Sequence, residues 1–370
     1  MRSELEEKTE RIAEILGRED LSAVLLNAQH NFAWLTGGST NGIDLSRENG
    51  AATLLVTRSG KRYVVCNNIE MPRMLAEEVS ADDFEPVDFS WQKEKAVGDI
   101  ALRKAKELVQ GEIATDIPLF AGATPIENEI AACRYRLTSD ELTRYRELGR
   151  DAGAIMSSVI DEIAPGDTEL SIAAKLRSAH ARHNIASVVT LVAADDRIAR
   201  FRHPVPTANS WKKTLLMVTC AKRFGLIVSL SRIVCVGDVP DELQRRTEAT
   251  AFVNASMADA TRPGASGAEI YAVADAAYAD QGFPGEIDLH HQGGPTGYKT
   301  REWVAHPQCS ETVNLNQAFA WNPTITGSKV EETFITTENG IEVITATDGY
   351  PQIGTSINGR EYFSPGILSL

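Results

Sequence analysis

The feature that most restricts what this chain can become is a pattern that occurs twice. Ser139–Ile163 places Leu142, Tyr145, Leu148, Ala152, Ile155 and Val159 at steps of 3, 3, 4, 3 and 4, one face of a long helix. It stops at Ala164-Pro165-Gly166, a second helix begins at Thr168, and an extended segment follows at Ser187–Val192. About a hundred residues later a helix over Asp241–Thr261 stops at Arg262-Pro263-Gly264, and Ser266-x-x-Glu269 caps a helix that runs to about Asp280. Proline cannot continue a helix and glycine accepts the turn that follows, so both stops are physical. The period is too long, and two copies too few, for a solenoid. The pattern predicts a pseudo-twofold domain with helices packed on one sheet.

Strands dominate what remains of this half: Thr214–Thr219, Phe224–Val236, Gln317–Trp321, Val330–Thr336 and Ile341–Ala346. Long strands with grouped rather than alternating helices indicate an α+β class. The first 130 residues read differently. A capping box at Ser3-x-x-Glu6 opens a helix to Leu16, a strand follows at Ser22–Asn27, and Ala52–Thr57 and Arg62–Cys66 form a hairpin across Arg58-Ser59-Gly60-Lys61. Helical stretches around 69–79 and 94–109 and a strand near Ile113 complete a smaller α/β unit. Pro118–Glu127, with two Pro and two Gly, marks the connection, giving domains 1–130 and 131–370.

Lys and Arg number 37 against 51 Asp and Glu, a net charge of −14. That balance excludes nucleic acid as a partner and disfavours anionic membrane surfaces. The charged opening Met1–Glu10 is followed by no apolar signal region, and the most apolar stretches, such as Thr214–Ala221, are far shorter than a bilayer span. Five cysteines without a C-x-x-C suggest neither a disulfide framework nor a zinc knuckle. A soluble, cytoplasmic protein is expected. No G-x-S-x-G, Walker A, G-x-G-x-x-G or H-E-x-x-H occurs.

Several segments together resemble one family. Arg136-Leu137-Thr138-Ser139-Asp140-Glu141-Leu142, then Ile163-Ala164-Pro165-Gly166-Asp167-Thr168-Glu169, resembles the entry to the catalytic domain of the pita-bread family, which includes creatinase, prolidase, aminopeptidase P and methionine aminopeptidase. Leu21–Leu26 through Asn31-Phe32-Ala33-Trp34-Leu35-Thr36-Gly37 resembles the opening of the creatinase-type N-terminal domain. Phe201-Arg202-His203-Pro204 resembles the segment with that branch's substrate-side histidine, Gly225–Arg232 the strand ending in Asp-x-Thr-Arg, and Val330-Glu331-Glu332-Thr333 the terminal Glu-Asp-Thr. The resemblance implies a pita-bread C-terminal domain behind a smaller creatinase-type N-terminal domain.

The peptidases of this family hold two metal ions with two Asp, one His and two Glu, because hard divalent ions need oxygen-rich, bridged sites. Aligned on Arg232, the acidic positions fall on Val218, Ser229, Asn322 and Glu331. The histidine falls on Gly294, with His290 on an upstream family histidine, or on His291 after a three-residue slip. No metal and no other cofactor is expected. Creatinase, a hydrolase of this fold, works without metal, and the resemblance implies a general acid/base role for His203 and a substrate-cation role for Glu331. The second creatinase carboxylate falls on Ser231. His290 and His291 point to opposite faces if extended, so one of them is expected in the pocket, and the glycines after them allow close approach to a ligand. Arg301 and Glu302 stand at a family His-Glu pair that is Arg-Glu in creatinase, and Arg301 suits a substrate carboxylate. Asn322, Ser229 and Ser231 are candidate hydrogen-bonding groups, and Arg232 reads as structural.

The leading expectation is thus a metal-independent, creatinase-like hydrolase that cleaves a C–N bond in a small amidino or N-acyl/imino amino acid-like substrate. One alternative is a non-catalytic peptide- or ligand-binding protein on a decayed peptidase fold. Another is an Xaa-Pro-type metallopeptidase with atypical ligands. The creatinase resemblance also implies a homodimer, with the polar Gly37–Asn49 loop directed at a partner.

Overall fold

The structure, a computed structural model, describes residues 3–370. The chain divides into two compact units, Met1–Arg134 and Tyr135–Leu370. In the first, six strands lie in the order Glu85–Phe89, Arg62–Asn67, Asn49–Thr57, Ala23–Ala28, Ile113–Thr115 and Thr124–Pro125. Leu25, Leu55, Val65, Leu102, Ala105 and Ile113 form one buried cluster of strand and helix residues. Asp116, just past a strand end, accepts hydrogen bonds from the Asn27 and Ala28 amides (3.0 and 2.9 Å) and from Asn31 Nδ2 (3.0 Å). Burial raises its carboxyl to about 6 in spite of these donors.

The second unit carries the repeat. Helices Ser139–Asp161 and Glu169–Arg182 open its first half, and Asp241–Ala260 and Gly267–Asp280 its second. After each Pro-Gly stop the backbone makes the same bonds to a segment farther along. Gly166 N bonds Trp211 O (2.8 Å) and Gly264 N bonds Val313 O (2.9 Å); Glu169 N bonds Asn209 O (3.0 Å) and Gly267 N bonds Glu311 O (2.9 Å). Thr168 bridges Ser210 as Ser266 bridges Thr312. The amides at each helix start therefore find the same partners twice, and the sequence repeat is a structural one.

One sheet was expected, and two four-stranded sheets are found. One orders Ile367–Ser369, Leu226–Cys235, Thr214–Arg223 and Ala186–Ala194; the other orders Gly293–Thr296, Ala318–Trp321, Glu332–Thr337 and Gly340–Val343. They meet where Ser231 N donates to Glu331 O (3.0 Å) and Ser229 N to Thr333 Oγ1 (2.7 Å). Each half supplies most of its own sheet, with Ile367–Ser369 from the end of the chain joining the first, and the seam between them carries the site. The long helix Ser139–Asp161 lies against strands Leu226–Cys235 and Thr214–Arg223 of the first sheet and close to the segment that follows Gly340–Val343. A Cβ added at Gly149 would stand 2.3 Å from the carbonyl oxygen of Ile344, so only glycine permits that approach. Strands Gln352–Ile357 and Arg360–Pro365 form a hairpin beside helix Asp241–Ala260, where Asn254 Nδ2 bonds Ser364 Oγ (3.2 Å). Among the described residues, no helix is long and apolar enough to cross a membrane.

Candidate functional site

The floor of the site begins with a hairpin. Phe224 and Gly225 both have positive φ (52° and 79°), the two-residue turn whose twist matches that of the paired strands. This turn sets the pairing Cys220↔Ser229 and Val218↔Ser231. Counting back eleven residues from Ser229 placed the first acidic family position on Val218. In the structure the residue opposite Ser229 is Cys220, whose Sγ lies 3.2 Å from Ser229 Oγ, and Val218 stands opposite Ser231. Val218 packs with Leu216, Ile233 and Ala193 in an apolar cluster.

The charges come from the other half. Glu331 is 2% exposed, and as a buried carboxylate it requires partners. Arg301 Nη2 reaches its Oε1 at 2.8 Å and Lys329 Nζ its Oε2 at 3.3 Å. Burial alone would raise the Glu331 carboxyl, but Lys329 and Arg301 outweigh it and hold the group below the ordinary carboxylate value. Burial lowers the affinity of Lys329 for its proton, against the pull of Glu331. Arg301 also donates to Thr300 O (2.6 Å) and to Ser229 Oγ (3.4 Å), which ties the charged group to the hairpin.

Three histidines stand together. His203 lies in the loop before strand Thr214–Arg223; His290 and His291 follow the short 3₁₀ turn Glu286–Leu289. His290 Nε2 is 3.1 Å from His203 Nε2. The ring centroids are 4.9 Å apart for His203–His290, 5.6 Å for His203–His291 and 4.5 Å for His290–His291. The expectation that only one of the adjacent pair faces the pocket is overturned. The segment leaves a turn and enters its strand through Gly293, whose φ is +93°, so strand alternation does not apply. Burial is the largest cause lowering the basicity of all three, followed by Lys329 for His203 and His290 and by Arg301 for His291. His290 is pushed down to about 2 and His291 to about 4. The trio is neutral at physiological pH, with lone pairs available.

The glycines after the histidines also have a different role from the one expected. A Cβ at Gly294 would lie 2.0 Å from Trp303 O, and one at Gly293 would lie 2.3 Å from Ala320 O. They admit neighbouring backbone, not a ligand. Asn322 N bonds Gln292 O (3.0 Å), while the buried Asn322 Oδ1 and Ser231 Oγ have no hydrogen-bond partner among the described residues. Glu302 lies in the turn after Gly297, where its Oε1 accepts from Tyr298 N (3.3 Å). Arg232 is structural: it pairs with Glu332 (2.8 Å), donates to Thr345 O (2.9 Å) and lies over the Tyr350 ring. Lys329 and Cys220 did not emerge from the sequence. Lys329 was legible, since a side chain two residues before Glu331 shares its face in extended chain.

The dinuclear centre implied by the resemblance needs several carboxylate oxygens. At its expected positions stand Val218, Ser229 and Asn322, none of them acidic, and Glu331, whose two oxygens are engaged by Arg301 and Lys329. These residues do not fit two bridged metal ions.

The model of metallopeptidase family M24 matches residues 143–343, more than half of the chain, and that of the creatinase/prolidase N-terminal domain matches residues 8–155. The Xaa-Pro dipeptidase of Pyrococcus horikoshii is 21% identical over 355 residues, covering 93% of this chain and 98% of that protein. The Xaa-Pro dipeptidase of Pyrococcus furiosus is 24% identical over 234 residues, 60% of this chain and 66% of that one. The crystal structure of the prolidase from Pyrococcus horikoshii superposes with a TM-score of 0.76 at 18% identity, covering 92% of this chain and 99% of that one. The repeat, the paired sheets and these matches agree: the chain belongs to metallopeptidase family M24, with a creatinase/prolidase-type N-terminal domain before a pita-bread domain.

Proposed function

We propose that the protein hydrolyses short peptides or peptide-like amides of the Xaa-Pro type, with an atypical site that has lost most of the acidic ligands of a dinuclear centre. The observation that carries this reading is the fixed charge of the floor. Arg301 and Lys329 share the single carboxylate of Glu331, which leaves one positive charge in excess beside three neutral imidazoles. Such a floor suits a small substrate that brings its own carboxylate, as a dipeptide does. The exposed His203 is positioned for proton transfer to and from the scissile amide, with His290 behind it. Of the three expectations drawn from sequence, the atypical Xaa-Pro peptidase gains most from the names of the relatives. A panel of Xaa-Pro dipeptides and their C-terminal amides tests it. Turnover of the free acids, at least tenfold reduced on amidation, is expected; no turnover of any dipeptide removes the reading.

The His203–His290 contact also favours a second reading, metal-independent C–N cleavage in an amidino or N-acyl/imino amino acid-like substrate, as in creatinase. Activity on such compounds that survives chelation, with none on dipeptides, would put it first. If neither class turns over and peptides bind wild type and His203→Ala equally well, the protein is a peptide-binding member of its fold. A homodimer belongs to the same proposal, and sedimentation showing only the 40.3 kDa chain at micromolar concentration would count against it.

A further inference from the structure

We infer that His203, His290 and His291 form a binding site for one divalent transition-metal ion of the zinc, cobalt, nickel or copper type, held by imidazoles alone. Its place in catalysis rests on the hydrolase reading above; the binding itself does not. Each imidazole offers one nitrogen, and the three nitrogens lie within 4.8 Å of one another. Metal–nitrogen bonds of about 2.0–2.1 Å then require only that the rings close by small side-chain rotations. The donor set is all imidazole, which selects borderline ions over magnesium, calcium and manganese. His203 and His291 are exposed while His290 is buried, so the ion would have one firm anchor and an open side toward solvent. Three protein ligands with an open position describe a catalytic rather than a structural site.

The surroundings hold these ligands in place. Arg202, next to His203, bonds Glu286 Oε2 (2.6 Å) and Thr326 Oγ1 (2.8 Å), and Glu286 opens the turn that delivers His290. One ion pair therefore fixes both approaches to the cluster. The His290 carbonyl accepts from Gln292 Nε2 (2.6 Å), and Gln292 Oε1 accepts from the Tyr278 hydroxyl (2.8 Å). These contacts hold the main chain that carries His290. The excess charge of Lys329 opposes a dication, so its removal should tighten binding.

The test is a titration of the chelator-stripped full chain with Co²⁺, followed by visible absorption, with Zn²⁺ as competitor. One equivalent is expected, with bands of a nitrogen-ligated site and no thiolate charge transfer. Affinity should fall at least tenfold in His290→Ala and in His291→Ala, melting temperature serving as the control for folding, and should rise in Lys329→Met. No saturable binding, two equivalents per chain, or undiminished affinity in both histidine variants would overturn the inference. Dipeptide hydrolysis is measured on the same samples. Cobalt binding without dipeptide hydrolysis leaves the inference standing and removes the Xaa-Pro reading, whereas hydrolysis by a protein that binds no cobalt overturns the inference and leaves that reading standing.

Discussion

In the first half of the Tyr135–Leu370 unit, the hairpin residues at the site are Cys220, Ser229 and Ser231, and its one ionisable contribution beyond the thiol is His203 from a loop. The second half supplies His290, His291, Arg301, Lys329 and Glu331. Yet the halves make matching backbone bonds after Pro165-Gly166 and Pro263-Gly264. The difference separates two constraints on a repeated fold. Backbone donors at a helix start must be satisfied in both copies, so that geometry repeats. Side chains at the seam have no such obligation, and charge gathers on one side of it.

The sharpest test asks whether the first half's single histidine matters as much as the second half's cluster. His203→Ala should lower turnover by about 10²–10⁴-fold, the usual contribution of a general acid/base, with little change in melting temperature. Wild-type turnover would place the chemistry wholly in the second half. Glu331→Gln should be the largest stability change: it strands Arg301 and Lys329, and breaking such a buried pair costs about 3–5 kcal/mol in denaturant unfolding. Ser229→Ala, across the seam, should cost about 1 kcal/mol. Equal costs would end the claim of asymmetry.

Acid should separate the halves next. His290 and His291 are pushed down to about 2 and about 4, so below pH 6.5 the unfolded chain binds protons that the folded one does not. Stability is then complete above about pH 6.5 and declines as pH falls toward 4. Glu331, held below its ordinary value, contributes stability above about pH 4.5 that is lost at lower pH. The double variant His290→Gln/His291→Gln should flatten the slope between pH 6.5 and 4, leaving the part due to the first half's His180, itself pushed down to about 4, and to His203, also lowered by burial. An unchanged slope would mean that the pair does not set it. The smallest effect probes what the halves share. Thr168 accepts from Ser171 N (3.1 Å) and Ser266 from Glu269 N (3.2 Å), so each alanine variant should cost about 1 kcal/mol by thermal unfolding. A cost at one cap only would show that the matching bonds are not equivalent in energy.

Much of this architecture was legible in the chain. The 3-3-4-3-4 spacing in Ser139–Ile163 is enforced by one buried helix face, and the Pro-Gly stops by backbone chemistry, so both reach the structure intact. Arg232 read as structural because its motif places it at a sheet position, and it is bound to Glu332 and Thr345. The errors lie where local rules yield to context. A turn and a positive-φ glycine around the His290–His291 pair brought both of its members to one site, where strand alternation would have separated them. The strands at Gln352–Ile357 and Arg360–Pro365 passed unnoticed, since they are half exposed and lack a strong apolar alternation.

The seam has a consequence for how the protein comes into being. Each half closes its sheet largely through neighbours in sequence, but the bonds that build the site join residues far apart: Arg301 to Ser229 across 72 positions, His290 to His203 across 87, and Ser229 to Thr333 across 104. Closing such loops costs chain entropy before any contact repays it, so these contacts belong to the slow part of folding. During synthesis the first half leaves the ribosome with Ser229 and Ser231 awaiting Glu331 and Thr333. A nascent chain of this protein therefore acquires helices and strands well before it acquires a pocket, and its chemistry is the last thing that it learns to do.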